Sequence, residues 1–279
     1  MSKTASTCAL IIIIAVALFS TACDKKVVVT TGVPAITGTV SVDSGSGGVV
    51  AQAYVSVDGT RLIPVVAVNN ETLDISDYGS SGEYMWSSTW HKDRLHAVPG
   101  DSCMLHVYQS DGEAKTDAQV IPHIPRVTSP DTGFVLAKSQ SLSVTWVATA
   151  GVDRYQIEFR LHYYYGNYDD FSLDTTIVVP AGSSTYTLPG SVIFPSYVDS
   201  VTYGYCDIYT TAETGPNIGR ESDGNVTGKG CGYFFTTSAD EMQCSIGSHY
   251  MAPHSERPAS QRPSARQFVE RKKALLANQ

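Results

Sequence analysis

Several clusters in this chain carry residue types that could do chemistry. Ser102 stands in Gly100-Asp101-Ser102, and a serine nucleophile needs a base that is itself held by a third group. No paired Asp and His follow near the C-terminus, so a turn leading into a strand at Cys103 is expected there. His91 and His96 lie five residues apart with Asp93 between them. These are metal-ligand types, but on a loop they are expected to be ordinary solvated side chains. Asp169, Asp170 and Asp174 offer oxygens to calcium, yet the EF-hand spacing and its glycine are absent. No HExxH, GxSxG or phosphate-binding loop occurs. The chain therefore reads as a non-enzyme, with no catalytic residue, metal site or cofactor.

Tyr163, Tyr164, Tyr165 and Tyr168 are candidates for binding. Consecutive strand residues point to opposite faces, so at least one of these tyrosines must face outward. An exposed tyrosine edge suits stacking on sugars or docking a partner. The alternative is an edge hairpin whose tyrosines pack across the sheet.

These elements follow an export signal. Lys3, an apolar run from Ala9 to Phe19 and then Ser20-Thr21-Ala22-Cys23 give a basic n-region, an h-region and a small-residue cleavage site. The apolar run falls short of the roughly 20 residues that span a bilayer. The layout resembles the signal of a bacterial lipoprotein, which implies that Cys23 becomes the acylated first residue of the mature protein. Ser20 stands where that pattern usually has Leu, and ordinary signal peptidase could use the same site. With acylation, each buried methylene contributes about 0.8 kcal/mol to membrane attachment. The expected location is the bacterial cell envelope, lipid-anchored and facing the periplasm or the exterior.

The net charge of −8 is unevenly spread. Residues 252 to 279 hold six Lys or Arg against two Glu, so the body carries −12 and the tail +4. An acidic body excludes nucleic acid as a natural partner, because phosphate binding relies on clustered Lys and Arg. With Cys8 cleaved away and Cys23 lipidated, Cys103, Cys206, Cys231 and Cys244 remain as disulfide candidates, with three complete pairings. If 201–212 and 230–237 form one hairpin, Cys206 lies opposite about residue 236. Cys231 is then about 17 Å away along the strand, and Cys244 is the better partner for either. Free buried thiols are the other reading.

Short segments rich in Val, Ile, Thr and Tyr, separated by Gly, Ser, Asn and Asp clusters, predict an all-β fold. The expected architecture is two tandem immunoglobulin-like or fibronectin III-like sandwiches. The signal covers 1–22, a lipidated tether 23–33, the first sandwich 34–121 and the second 126–239. Pro122, Pro125 and Pro130 mark the boundary between the sandwiches. A basic tail over 240–279 is expected to be disordered or to form a short helix from Ser264, with Phe268, Val269, Leu275 and Leu276 on one face.

In the second unit, Leu142-Ser143-Val144-Thr145-Trp146, Asp153 to Glu158, Thr185 to Pro189 and Val201 to Tyr205 resemble a fibronectin type III module. Trp146 matches the core tryptophan of the second strand and Tyr155 the third-strand tyrosine. Leu188 and Tyr203 match the corner before the sixth strand. The segment Tyr163 to Phe171 and the loop Glu213 to Lys229 are long for the family, and no Arg-Gly-Asp motif appears. The resemblance implies a spacer or binding sandwich, and fold alone assigns no ligand. The leading functional reading is a membrane-anchored envelope lipoprotein that binds a glycan or an envelope protein, or acts as an adhesion spacer. The alternatives are a structural subunit docking through its C-terminal tail and a secreted enzyme without a recognisable motif.

Overall fold

Period-2 burial runs through the strands, and it places their side chains. A computed structural model describes residues 34–43, 48–58, 64–80, 85–92, 94–109, 112–217 and 224–247. The signal, Cys23, the tether, Asp93 and the 264–276 helix lie outside the described residues. In chain order the first ten strands are β1 (Ala35–Asp43), β2 (Val49–Asp58), β3 (Val65–Val68), β4 (Glu71–Thr72), β5 (Asp74–Ser80), β6 (Met85–Lys92), β7 (Ser102–Cys103), β8 (Leu105–Gln109), β9 (Gly112–Thr116) and β10 (Gln119–Val120). Then come β11 (Val127–Ser129), β12 (Val135–Leu136), β13 (Leu142–Trp146), β14 (Arg154–Tyr165), β15 (Asp169–Pro180), β16 (Thr185–Leu188), a helical turn at Gly190–Ile193, β17 (Val201–Thr214), β18 (Val226–Gly228) and β19 (Cys231–Gly247).

The second unit is a sandwich of β11-β13-β16 against β15-β14-β17-β19. A β-sandwich is what the fibronectin III resemblance implies. Leu142, Val144 and Trp146 of β13 meet Tyr155, Ile157, Phe159 and Leu161 of β14 in one core. The Trp146 and Tyr155 rings lie 5.4 Å apart. Tyr203 departs from the expected corner: it faces the outer side of the sheet, against Tyr164. Tyr163 of β14 pins the turn after β16 instead, its hydroxyl donating to Ile193 O at 2.7 Å. Gly204 lies opposite Tyr163, and a Cβ there would come within 2.2 Å of the Tyr163 Cβ.

The first unit packs β1-β2-β6-β5 against β4-β3-β8-β9-β18. Its core joins Ile36, Val40, Val49, Ala53, Val66 and Leu105 to Val226 and Phe234. Those last two come from the segment expected to belong to the second unit. β18 pairs with β9, and β1 pairs in parallel with the first half of β19, Ala35 with Cys231 through Asp43 with Ala239. The other half of β19 pairs with β17, Thr236 through Gly247. Residues 240–247, expected in the tail, thus continue this strand. One 17-residue strand, about 56 Å long, belongs to both sandwiches.

Alternation along β19 explains how it serves two cores. Phe234 enters the first core, and Met242, Cys244 and Ile246 pack in the second. Between them, on the same parity, Thr236 Oγ1 donates to Val120 O at 2.5 Å, and Ser238 Oγ donates to Pro122 O. Asp240 Oδ2 accepts from Val127 N at 2.8 Å. The proline-bearing connection is therefore held against β19 by hydroxyls that donate to its carbonyls and by a carboxylate that accepts from its Val127 N–H, so these backbone groups are paired through side chains.

Candidate binding face

Since Tyr155, Ile157, Phe159, Leu161 and Tyr163 point into the core, the even residues of β14 must point away from it. Glu158, Arg160, His162 and Tyr164 therefore share the outer face. The register carries this across to Tyr203, Tyr205, Asp207 and Tyr209 of β17, and to Glu241 and Gln243 of β19. At the β14–β15 turn end the face is aromatic. Tyr164 lies 4.9 Å from Tyr203, and His162 lies 5.0 Å from Tyr164 and 5.8 Å from Tyr205. Further along it becomes polar. Arg160 sits 4.9 Å over the Tyr209 ring, bonds Glu158 Oε1 at 2.6 Å and lies 3.9 Å from Asp174. Gln243 Nε2 donates to Asp207 Oδ1 at 2.6 Å. An open groove runs between Arg160, His162, Ser172, Asp174, Tyr205 and Asp207.

Burial opposes the Arg160 charge, but the Glu158 bond and charge, Tyr209 and Asp174 outweigh it and hold its pKa above the ordinary value. Tyr209 is also shifted up, by burial first and then by Glu241 and Asp207, so its hydroxyl keeps its proton and serves as a donor. The face offers ring surfaces, hydroxyl and amide donors, and carboxylate acceptors around one guanidinium. Such groups bind by stacking and hydrogen bonding, and cation–π contacts add to this.

The opposite end of the same face is closed. Arg154 and Glu213, directly opposed on β14 and β17, form a buried pair with Arg154 Nε 2.5 Å from Glu213 Oε1. The chain just after β17 covers them, and Arg154 donates to Gly215 O at 2.8 Å and Pro216 O at 2.6 Å. Gln156 Nε2 donates to the other Glu213 oxygen.

The four candidate tyrosines are dispersed. Tyr163 is fully buried, which removes it from any binding surface. Tyr165 leans on the core rim against Tyr197 at 6.0 Å. Tyr164 faces outward among the outer-face rings, and Tyr168 is exposed in the turn. Sequence reading missed His162, Tyr205, Tyr209 and Arg160, although strict alternation from Tyr155 to Leu161 was a signal for the parity of all that follow.

The remaining candidates find local roles. His96 bonds Glu71 Oε2 at 2.9 Å, and Asp101 Oδ2 accepts from Val98 N at 3.0 Å in the turn before Ser102. Among the described residues no group of three His, Cys, Asp or Glu could hold a metal. Cys103, Cys206, Cys231 and Cys244 are reduced cysteines, none of them joined in a disulfide. Cys103 is buried in the first core, where burial, with Asp101 adding to it, pushes its pKa up to about 11. Cys206 stands opposite Cys244, where residue 236 was expected, because the hairpin closes near Thr214 and Thr236 and β19 runs on to Gly247.

Burial pushes the pKa of Tyr163 and of Tyr209 above the ordinary tyrosine range, which lies near 10. A folded state that keeps these protons while the unfolded chain loses them has its full stability below about pH 10 and loses it as pH rises further. Alkaline titration should therefore show tyrosinate absorbance from a subset of the 16 tyrosines appearing only together with loss of the β-sheet circular dichroism signal. Titration of all of them near pH 10 with the sheet intact would overturn this.

No protein family matches the chain, and no curated protein does. Among solved structures it is similar to the full ectodomain (Ig1–Ig3) of mouse nectin-like molecule 4, at 13% identity over 80% of this chain and 67% of that one, TM-score 0.24. It is also similar to fibronectin(III)-like modules of Clostridium thermocellum CbhA, at 11% identity over 78% of this chain and 100% of that one, TM-score 0.24. The fold is all-β, with two sandwiches joined through one shared strand.

Proposed function

We propose that this chain is a lipid-anchored bacterial envelope protein acting as a non-enzymatic binding module, which engages a glycan or an envelope protein through the outer face of β15-β14-β17-β19. The observation that carries this reading is the row of Tyr164, Tyr203, His162 and Tyr205 rings beside Asp207, Gln243 and Arg160. Aromatic side chains with polar tips provide large contact area at low entropic cost. Acylation at Cys23 would hold the face near the membrane, and the acidic body argues against nucleic acid as the ligand.

Glycan-array and envelope-extract binding by the full chain tests the reading, with Tyr164→Ser/Tyr203→Ser as the variant. Binding that falls at least tenfold in the variant, with an unchanged melting temperature, is expected. Binding that survives the substitutions, or no binding by the native chain, would sink the face assignment. N-terminal peptide mass analysis of the membrane fraction checks the anchor separately: an acylated Cys23 is expected, and a soluble chain with a bare Cys23 overturns it.

A further inference from the structure

Cys206 and Cys244 are direct partners in the antiparallel ladder of β17 and β19. Both side chains point into the second core, where Cys206 is fully buried and Cys244 nearly so. The two thiols belong to the same core cluster, and the Cys206 thiol donates to Asp207 O at 3.8 Å. Directly opposed antiparallel residues have Cα atoms about 4.5–5.5 Å apart, within the range that a disulfide spans. The alternative pairings lack this placement. Cys231 lies at the far end of β19, beside Pro34, about 43 Å along the strand from Cys244. Cys103 sits in the first unit's core, beside Asn69.

We propose that Cys206 and Cys244 form a cross-strand disulfide between β17 and β19, while Cys103 and Cys231 remain thiols. An external disulfide, either a small molecule or an oxidoreductase of an oxidising compartment, is the electron acceptor. A thiolate of the pair attacks it and releases one thiol, and the second cysteine then displaces the other. Two protein thiols are oxidised, the external disulfide is reduced to two thiols, and the chain loses two hydrogens.

Burial pushes the Cys206 pKa well above the ordinary thiol value, and it is the thiolate that reacts. The bond therefore forms as the strands come together during folding, and the folded, reduced protein resists oxidation. The closed loop holds β18 and the first half of β19, which complete the first sandwich. One bond thereby restrains both units. On the outer face it fixes the neighbouring Asp207 and Gln243, so the link also sets the register of the polar part of the candidate face.

The test is refolding of the full chain in a reduced and oxidised glutathione buffer, followed by alkylation under denaturing conditions and non-reducing digestion. Trypsin leaves Cys231 and Cys244 in one peptide, so a protease cutting after Glu241 is added to separate them. The expected product is a peptide joining Cys206 to Cys244, about 2 Da lighter than the two thiol peptides, with the other cysteines alkylated. The oxidised protein should also exceed the reduced one in folding equilibrium constant by on the order of 100-fold or more, as a loop of this length implies. Complete alkylation of refolded protein, or a crosslink through Cys103 or Cys231, overturns the proposal.

Discussion

Replacing Glu213 by alanine is expected to lower the stability of the folded chain by about 3–5 kcal/mol. Glu213 is fully buried and takes Arg154 on one oxygen and Gln156 on the other. Removing it leaves the Arg154 guanidinium under the chain at Gly215 and Pro216, held by two carbonyls and without its carboxylate partner among the described residues. Taking one partner from a buried pair costs far more than the pair contributes, because the remaining charge cannot regain its water. The comparison that separates these effects is Arg154→Met/Glu213→Leu. With both charges replaced by apolar groups, stability should return to within about 1–2 kcal/mol of the native chain. Denaturant unfolding of the three proteins reads both numbers. A Glu213→Ala loss below about 1 kcal/mol would show that water reaches the pair and that the outer face is open at this end as well.

The residues explain which parts of this arrangement were legible in the sequence. Trp146, Tyr155 and Leu188 were placed through the fibronectin III resemblance, and all three stand in the second core. Alternation from Tyr155, followed through Phe159 and Leu161, puts Tyr163 inside and Tyr164 outside. Naming all four tyrosines together lacked this parity: Tyr163 is buried, while Tyr164 faces outward and Tyr168 is exposed. Tyr203 was misplaced for a related reason: it is a strand residue whose neighbour Gly204, not itself, faces the core. The sharing of β19 is a different matter. Ala35 and Cys231 are 196 positions apart and pair in parallel, and no local signal encodes a partner at that distance. The Thr236, Ser238 and Asp240 series was visible as a polar interruption of an apolar strand. Its meaning depends on Val120, Pro122 and Val127 arriving beside it.

Phe234→Ala puts the shared strand to the test and is expected to cost about 3–5 kcal/mol, the usual loss for a buried phenylalanine. Phe234 is fully buried, and its backbone N–H and C=O are both bound by the Asn225 side chain, at 2.7 and 2.9 Å. Its ring belongs to the core formed by Ile36, Val40 and Leu105, residues of the N-terminal sandwich. If the two sandwiches were independent beads, a cavity in the first would leave the second at native stability, and two unfolding transitions would separate. Because β19 forms ladders with β1 on one side and β17 on the other over Thr236–Ala239, fraying its first half removes the partner of β1 and the hydroxyls that hold the connection at Val120 and Pro122. Both units should then lose protection together. Hydrogen exchange resolves this by element: in the variant, faster exchange should appear in β1 and β2 and also in the part of β17 from Thr210 to Thr214, with one calorimetric transition. Exchange confined to β1 and β2, or two separate transitions, would mean that the sandwiches fold independently and that the common strand is only a mechanical join.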